Sequence, residues 1–421
     1  MGSWAYHALV SDPGPLGDDN QPFDPLSALG GVFGDLARLA QQQGPLNWDA
    51  ARQLALSVVS GPSGSGTEAN VDPLDRIAVE QLARVAELQV ARATGLPTSI
   101  AGQPLSVEPV TRVQWVLQAL DDHRPRFERL AAGLRATPGA MPGGAAGAGG
   151  LGGDADDAMG FMAPLMQMLG PMMLGMTAGS MVGHLAQRSF GEYDLPLPRP
   201  RRDRLVLLLS NIDAFGREWS LPRDDLRLWV CLHEVAHHTV LGVPHVRARL
   251  DSLLDGYLDG FRPDAGGLER RLAEVDPMDP AGLQQLQEVF SDPEVLLGAI
   301  RSPEQEALLP QLDALVAVVI GVVDHVMDTV GSQLVTSYDM ATEALRRRRV
   351  GTGVDDRFAE RLLGLELTPA QVERGQAFVA GVLERGGDQA LARLWGSERE
   401  LPTPAEVDAP GLWLARIDLP D

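Results

Sequence analysis

The sequence contains one cysteine, Cys231, among 421 residues. A single thiol cannot close a disulfide within the chain, which excludes a disulfide-stapled scaffold and favours a reducing compartment. The first thirty residues lack a basic stretch followed by an apolar run, so no secretion signal is predicted there. A cytoplasmic protein is therefore expected.

Basic residues are also scarce, with 35 Lys and Arg against 57 Asp and Glu, and the formal net charge is -22. Such a surface repels nucleic acid and anionic lipid. The sequence is 44% hydrophobic and long enough to bury one large core or two ordinary ones. These properties predict a folded globular protein with no nucleic-acid partner.

Leu, Ile and Val are sparse in the stretch 158–183, which carries no charge and is rich in methionine. Its length would suffice to cross a membrane, but Pro164 and Pro171 are expected to break a single helix into shorter pieces. Close helix packing, in lipid or in a soluble core, is allowed by glycines at every fourth position, Gly175, Gly179 and Gly183. The composition favours buried helices of a soluble protein over a membrane span.

Changes in composition divide the chain into five predicted parts. Residues 61–67, GPSGSGT, resemble the start of a phosphate-binding loop but lack its lysine, so they are interpreted as a flexible linker. The five parts are a flexible N-terminal arm at 1–73, a helical region at 74–136, a disordered Gly/Ala linker at 137–157, a core at 158–350 and a C-terminal helical region at 351–421.

Apolar spacing predicts helices through most of the chain. An amphipathic helix is predicted at 73–95, and Thr111 with Gln114 forms a capping box that opens a second helix. The best strand candidate is the apolar run 205–209. Further helices are predicted at 246–261, 282–300, 306–330, 331–348 and 369–396. The fold class is therefore mainly α, with at most a small strand element.

One predicted helix carries a motif with a specific chemistry. Pro222 near its start and Asp224 and Asp225 in its first turn open the helix, and Gly242 followed by Pro244 closes it. The residues between them include HEVAH at 233–237.

This HExxH motif predicts a zinc site. His233 and His237 lie four residues apart, so both imidazoles leave one face of the helix and can bind a single Zn²⁺. Glu234 lies beside them, where its carboxylate can take a proton from the attacking water and pass it to a leaving group. The prediction is a zinc hydrolase in which Glu234 is the general base.

The alternative interpretation is a helix with two surface histidines, but this helix is apolar on most sides, so its polar residues need a partner. A third histidine ligand six residues after the second would have to lie at 243, which is Val243. His245 is therefore rejected as a ligand. Cys231 points away from His233 on a helix and is interpreted as a core residue.

Four blocks of sequence, in order, resemble a known family: SFGEYDLPLPRP, LRLWVCLHEVAHHTVLGVPHVRARL, VVDHVMD and RFAERLLGLELTPAQVERGQAFV. They are similar to the actinobacterial zincin-like hydrolases, some of which are associated with deazaflavin-coenzyme biosynthesis. The resemblance covers residues 74–421 apart from the linker. It implies a helical zincin-like fold with 158–350 as its core, and a zinc-dependent metallopeptidase or hydrolase activity of unspecified substrate.

The resemblance also implies a third metal ligand, a Glu in a Glu-Gly-x-x-Asp stretch on a later helix. This chain has Ile320 at the position of that Glu, and Ile320 cannot bind metal. Asp324, which remains, is the predicted replacement, while His325, Asp328 or no third ligand are the alternatives. Asp324 and Asp328 could instead pair with arginines such as those at 346–349.

Two functions are consistent with these observations. The first is a cytoplasmic zinc metallopeptidase that acts on a peptide or protein substrate through Glu234. The second is a pseudoenzyme that keeps the scaffold, binds a partner in the helical cleft, and has lost its third metal ligand at Ile320.

Overall fold

The structure, a computed structural model, describes residues 44–60, 68–136, 155–261, 302–350, 360, 362–365 and 367–419. All of them belong to one compact unit, Gln43–Asp421. Most of the predicted N-terminal arm, most of the predicted linker and the helix predicted at 282–300 lie outside the described residues.

Helices dominate the described residues, which confirms the mainly α prediction. In chain order they are α1 (Trp48–Ser60), α2 (Pro73–Thr94), α3 (Arg112–Ala136), α4 (Ala155–Arg188), α5 (Leu209–Glu218), α6 (Arg223–Gly242), α7 (Pro244–Asp259), α8 (Pro303–Val326), α9 (Tyr338–Val350), α10 (Pro369–Leu391), α11 (Pro404–Asp408) and α12 (Pro410–Ile417). Helix α1 was not anticipated, because it lies in the segment predicted to be a flexible arm.

Two short strands, β1 (Ser106–Pro109) and β2 (Arg204–Leu207), pair in parallel with Val107 opposite Leu205. Parallel neighbours need a crossover connection, which α3 and α4 supply here. The run predicted as a strand corresponds to β2, although its last residue already belongs to α5. Strand β1 was missed because four residues carry too little pattern.

Helix α4 corrects the prediction that Pro164 and Pro171 would break the chain, since it runs unbroken through both. Helix α4 packs along α1, and the amide of Asn47, just before α1, donates to the Pro171 carbonyl at 2.9 Å. The glycine spacing allows this approach. A Cβ on Gly179 would stand 2.2 Å from the Ala51 carbonyl oxygen.

Burial of the methionine-rich segment follows the prediction only in part. Met181 is buried, whereas Met172 and Met176 are exposed. The helix packs mainly on α1 and α3 rather than on the HExxH helix α6. Within the described residues, the segment apolar and long enough to cross a membrane is Pro303–Leu334 instead, and most of it is buried in the protein core.

Helices α8 and α10 also approach each other closely, at Gly321 and Gly375. A Cβ on Gly375 would stand 1.9 Å from the Ala317 carbonyl oxygen, and one on Gly321 would stand 2.3 Å from the Gly375 carbonyl oxygen. Only small residues allow two helices to approach this closely. The contact fixes the neighbouring residues Ile320 and Gln376, which line the cavity described below.

The end of α8 differs from the predicted boundary between two helices. The chain continues from α8 into a π-helical turn, Met327–Gly331, and a last helical turn, Ser332–Leu334, before α9 begins. A π-helical turn inserts an extra residue and redirects the side chains that follow. Asp328 in this turn accepts a hydrogen bond from the Tyr338 hydroxyl at 2.7 Å.

A buried arginine fixes the HExxH helix to its neighbours. Arg227 on α6 is 1% exposed and bonds to Asp75 on α2 at 2.9 Å and to Asp213 on α5 at 2.8 Å. Bidentate guanidinium contacts of this kind constrain orientation as well as distance. Arg227 thereby sets how α6 presents its motif.

Candidate metal centre and catalytic cavity

Helix α6 has the bounds that the sequence predicts. Pro222 is its N-cap, Asp224 and Asp225 lie in its first turn, and the helix ends at Gly242 before Pro244 opens α7. Its motif faces a cavity of about 370 Å³. This volume lies within the range of small-molecule sites.

The two histidines of the motif are adjacent and buried. The ring centroids of His233 and His237 are 4.4 Å apart. Trp229 stacks on His233 with centroids 5.0 Å apart, and Tyr193 stacks on His237 with centroids 5.9 Å apart. The Nδ1 atom of His237 lies 3.1 Å from the His233 carbonyl oxygen. The stacked rings and this backbone contact hold both imidazoles on one wall of the cavity.

Glu234 lies between these rings and the loop that follows α4. The side chain is almost wholly buried, and its Oε2 atom accepts hydrogen bonds from the backbone amides of Glu192 at 2.7 Å and Tyr193 at 3.1 Å. The other oxygen, Oε1, accepts a longer bond from the Tyr193 amide at 3.4 Å and lies 3.7 Å from Nδ1 of His233. The backbone therefore holds Oε2 more closely than Oε1, which lies beside a motif histidine.

Burial raises the pKa of Glu234 to about 8, and the negative charge of Asp194 adds to the increase. The amides of Glu192 and Tyr193 act in the opposite direction because they stabilise the ionised carboxylate. A carboxyl that titrates near neutral pH is suited to accept and return a proton. A cation held by the two imidazoles would lower this pKa further.

Other residues beside the motif have clear structural roles. The hydroxyl of Tyr193 lies 3.1 Å from Nδ1 of His238, and burial lowers the pKa of His238 to about 4. Cys231 is fully buried, as predicted, and burial raises the pKa of its thiol to about 12. His245 contacts the Leu394 carbonyl oxygen at 3.0 Å. None of these three residues, His238, Cys231 and His245, lines the cavity.

Arginines and acids line the cavity together with its apolar wall. Arg348 lies over the Phe190 ring, 3.7 Å from its centroid, and pairs with Asp194 at 3.6 Å, while Arg188 pairs with Glu360 at 4.0 Å. Although burial opposes it, Arg348 and Arg188 lower the pKa of Asp194. The remaining lining residues are Tyr193, Pro196, Trp229, Val230, His233, Glu234, His237, Ile320, Leu345, Arg346, Leu367, Pro369, Val372, Glu373 and Gln376.

Apart from Glu234, the charged residues of this lining were not identified from the sequence. The arginines at 346–349 were considered as partners of Asp324 and Asp328, but Arg348 turns inward onto Phe190. One signal in the sequence could have pointed to these lining residues. The block SFGEYD contains Phe190 and Asp194, and it resembles the same family as the HExxH motif does.

The proposed third ligands do not line this cavity, whereas Ile320 does. Asp324 accepts a hydrogen bond from Nε2 of Gln376 at 2.8 Å. Asp328 is exposed and bonded to Tyr338. His325 is half-buried. The structure thus brings Ile320, not Asp324, to the cavity that His233 lines, and Asp324 as a zinc ligand stays a prediction.

The side chains around His233 and His237 meet part of what a zinc site requires. Two buried imidazoles on one helix face and an adjacent buried carboxyl match the ligands and the base of a zinc hydrolase. Zinc usually takes three protein ligands, but within the described residues no group of three or more His, Cys, Asp and Glu side chains comes close enough to hold a metal. The fit is therefore good for His233 and His237 and leaves the third protein ligand open.

Comparisons with known proteins concern the fold and the family. A crystal structure of "a putative hydrolase with a novel fold" from Chloroflexus aurantiacus aligns with a TM-score of 0.58 and 23% identity, and covers 89% of this chain and 100% of the other. At that identity the likeness concerns the fold. Among proteins with curated descriptions, none matches significantly. A model of the zincin-like metallopeptidase family matches residues 46–414, and the chain belongs to that family.

Proposed function

We propose that this protein is a zinc-dependent hydrolase of peptide or other acyl substrates. The observation that carries the proposal is the position of Glu234, a buried carboxyl with a pKa near neutral, beside two buried histidines on the wall of one cavity. Membership of the zincin-like metallopeptidase family supports the reaction class. Substrate, partners and a cytoplasmic location remain part of the proposal.

In this proposal, His233 and His237 hold the metal, and Asp324 is the candidate for a third ligand. Zinc bound there would act as a Lewis acid on the scissile carbonyl group. For Asp324 to contribute, its carboxylate would have to turn toward the cavity, and its Oδ2 atom now accepts a hydrogen bond from Gln376.

Glu234 moves the proton. Because Oε2 accepts the two shorter amide bonds and Oε1 only the longer contact from Tyr193 at 3.4 Å, Oε1 is the oxygen better placed to take a proton from water as the water attacks the carbonyl carbon. The same oxygen then returns that proton to the leaving nitrogen or oxygen as its bond to the carbon breaks. Burial of the carboxyl keeps bulk water away from this exchange.

The proposed function is tested with three variants and two measurements. Glu234→Gln should retain zinc, because the residue is not a ligand, and should lose activity on peptide and ester substrates by about 10²- to 10⁴-fold. His237→Ala should lose zinc and activity together. His245→Gln is the control, since this histidine lies outside the cavity, and it should lose neither. Elemental analysis that found no zinc in the purified wild-type protein would refute the proposal.

The second candidate function is a partner-binding pseudoenzyme, and Ile320 favours it. An apolar side chain at a wall position where the resembled family has a ligand is consistent with loss of the metal. A pseudoenzyme would bind no zinc, and Glu234→Gln would leave its partner binding unchanged.

A further inference from the structure

The loop between α4 and β2 holds the carboxyl group of Glu234 by its backbone. The amides of Glu192 and Tyr193 both donate to Oε2, at 2.7 and 3.1 Å. Two consecutive amides that converge on one oxygen define its position more narrowly than a side-chain donor, because the backbone has few alternative conformations.

Gly191, the residue before these two amides, packs directly against the side chain of Glu234. A Cβ added to Gly191 would stand 2.4 Å from both Cδ and Oε2 of Glu234 and 2.9 Å from its Cγ. These three nearest atoms all belong to Glu234. A side chain at position 191 would therefore overlap the side chain of Glu234.

Three successive carbonyl groups anchor the loop from behind. The Phe190 carbonyl accepts from the Leu208 amide at 2.8 Å, and the Gly191 carbonyl accepts from Nε1 of Trp115 at 2.8 Å. The Glu192 carbonyl accepts from Nε and Nη2 of Arg199, at 3.0 and 2.7 Å. The donors come from separate parts of the chain, so the loop cannot shift without breaking several contacts at once.

We infer that residues 190–194 form a cradle that holds Glu234 in one orientation, with Oε1 beside His233 as the proton acceptor. Gly191 is a positioning residue of this cradle, and Trp115 supports it from behind. The catalytic part of the inference rests on the proposed hydrolase function, whereas the structural part does not. A displacement of about 1 Å in a catalytic group can cost roughly 10²-fold in rate.

The structural part is tested without any activity measurement, by a double-mutant cycle. Thermal unfolding of the metal-free variants gives the stability of each. Gly191→Ala should lower Tm by roughly 1 to 4 °C, because the methyl group overpacks against Glu234. In a Glu234→Ala background the same substitution should cost almost nothing, since the obstructing atoms are gone. In a Glu234→Gln background, the matched control of equal size, the loss in Tm should return. An equal loss in all three backgrounds would overturn the cradle.

The catalytic part is tested by kinetics. Gly191→Ala should lower kcat by about 10- to 100-fold while KM and zinc content change little, since Gly191 does not line the cavity and neither histidine is substituted. Trp115→Phe removes the donor to the Gly191 carbonyl but keeps an aromatic ring, and should lower kcat by a smaller factor.

Each outcome of the kinetic test is informative. An unchanged kcat in Gly191→Ala would overturn the positioning role even if the stability cycle supports the cradle. A wild-type protein with no hydrolytic activity would reject the proposed function, and the stability cycle would still decide whether the cradle exists.

Discussion

Ile320 on α8 and His233 on α6 line the same cavity, although the two helices are far apart in the sequence. Helix α10 packs against α8 at Gly321 and thereby fixes the wall on which Ile320 lies. The family resemblance implies a glutamate ligand at this position. We therefore expect substitutions of Ile320 to alter metal binding most directly.

Ile320→Glu is expected to tighten zinc binding, because it adds a carboxylate to a cavity that two imidazoles already line. The gain should be roughly tenfold or more, since even an outer-shell partner of a zinc ligand is worth about 10- to 100-fold. Competition with a chromogenic chelator measures it. Ile320→Gln, of equal size but without a charge, is the control and should change the affinity little. Equal affinities of the Glu and Gln variants would mean that Ile320 does not face the metal.

The role of Asp324 is tested by comparing it with its partner. If Asp324 is the third ligand, Asp324→Ala should weaken zinc binding by about tenfold or more. Gln376→Ala, which frees Asp324 from its hydrogen bond, should not weaken it. Should both variants lower zinc affinity by the same factor, Asp324 serves to hold Gln376 instead.

The sequence predicted the motif helix because capping signals, period and ligand spacing are all local. Arg223–Gly242 agrees with the opening at Pro222 and the closure before Pro244. The cradle at 190–194 has no periodicity, so its contacts with Glu234 could not be inferred from spacing. The same holds for Arg348, whose inward direction depends on Phe190, a residue remote in sequence.

Packing also overrode one local expectation. Pro171 was expected to break a helix, but α4 continues through it and packs along α1. Asp324 was proposed as a ligand on the family resemblance, and its hydrogen bond from Gln376 on α10 could not be inferred from the sequence. Both contacts depend on which helix becomes a neighbour, and the sequence pattern of one helix does not contain that information.

Gly375→Ala is expected to destabilise the protein by about 1 to 3 kcal/mol or more, because the new methyl group would overlap the Ala317 carbonyl of α8. Denaturant unfolding measures the change. Gly242→Ala is the matched control, since nothing lies within 4 Å of its Cβ position, and it should be neutral or stabilising by about 0.4 to 1 kcal/mol. Similar losses for both variants would contradict a tight contact between α8 and α10.

Arg227→Met is expected to cost about 3 to 5 kcal/mol, because it leaves Asp75 and Asp213 without their buried partner. Arg223→Met removes a half-exposed arginine from the same two carboxylates and should cost at most about 1 kcal/mol. Denaturant unfolding of the two variants at neutral pH provides the comparison.

At low pH, the difference in stability between the Arg227→Met and Arg223→Met variants should become smaller. Hydrogen bonds and charge from Arg227 and Arg223 lower the pKa of Asp75, and the same arginines, acting against burial, lower the pKa of Asp213. A carboxyl with a lowered pKa contributes stability above its unfolded pKa and loses it as the pH falls through its folded pKa. The cost of Arg227→Met should therefore shrink as the pH falls below about 4. A cost that did not vary with pH would show that the arginine acts by packing alone.

Glu192→Gln is expected to change how stability varies between pH 4.5 and 7. Burial raises the pKa of Glu192 from 4.5 to about 7, against the opposing effect of Arg199. In this window the folded protein keeps a proton that the unfolded chain releases, so the wild-type protein loses stability as the pH rises. A glutamine cannot ionise, and its variant should escape up to about 3 kcal/mol of that loss. Urea unfolding at several pH values, with a chelator present, measures the difference. Glu234 titrates in an overlapping range, but it is common to both proteins and cancels to first order. Parallel stability curves for the wild type and Glu192→Gln would show that Glu192 is ionised throughout the window.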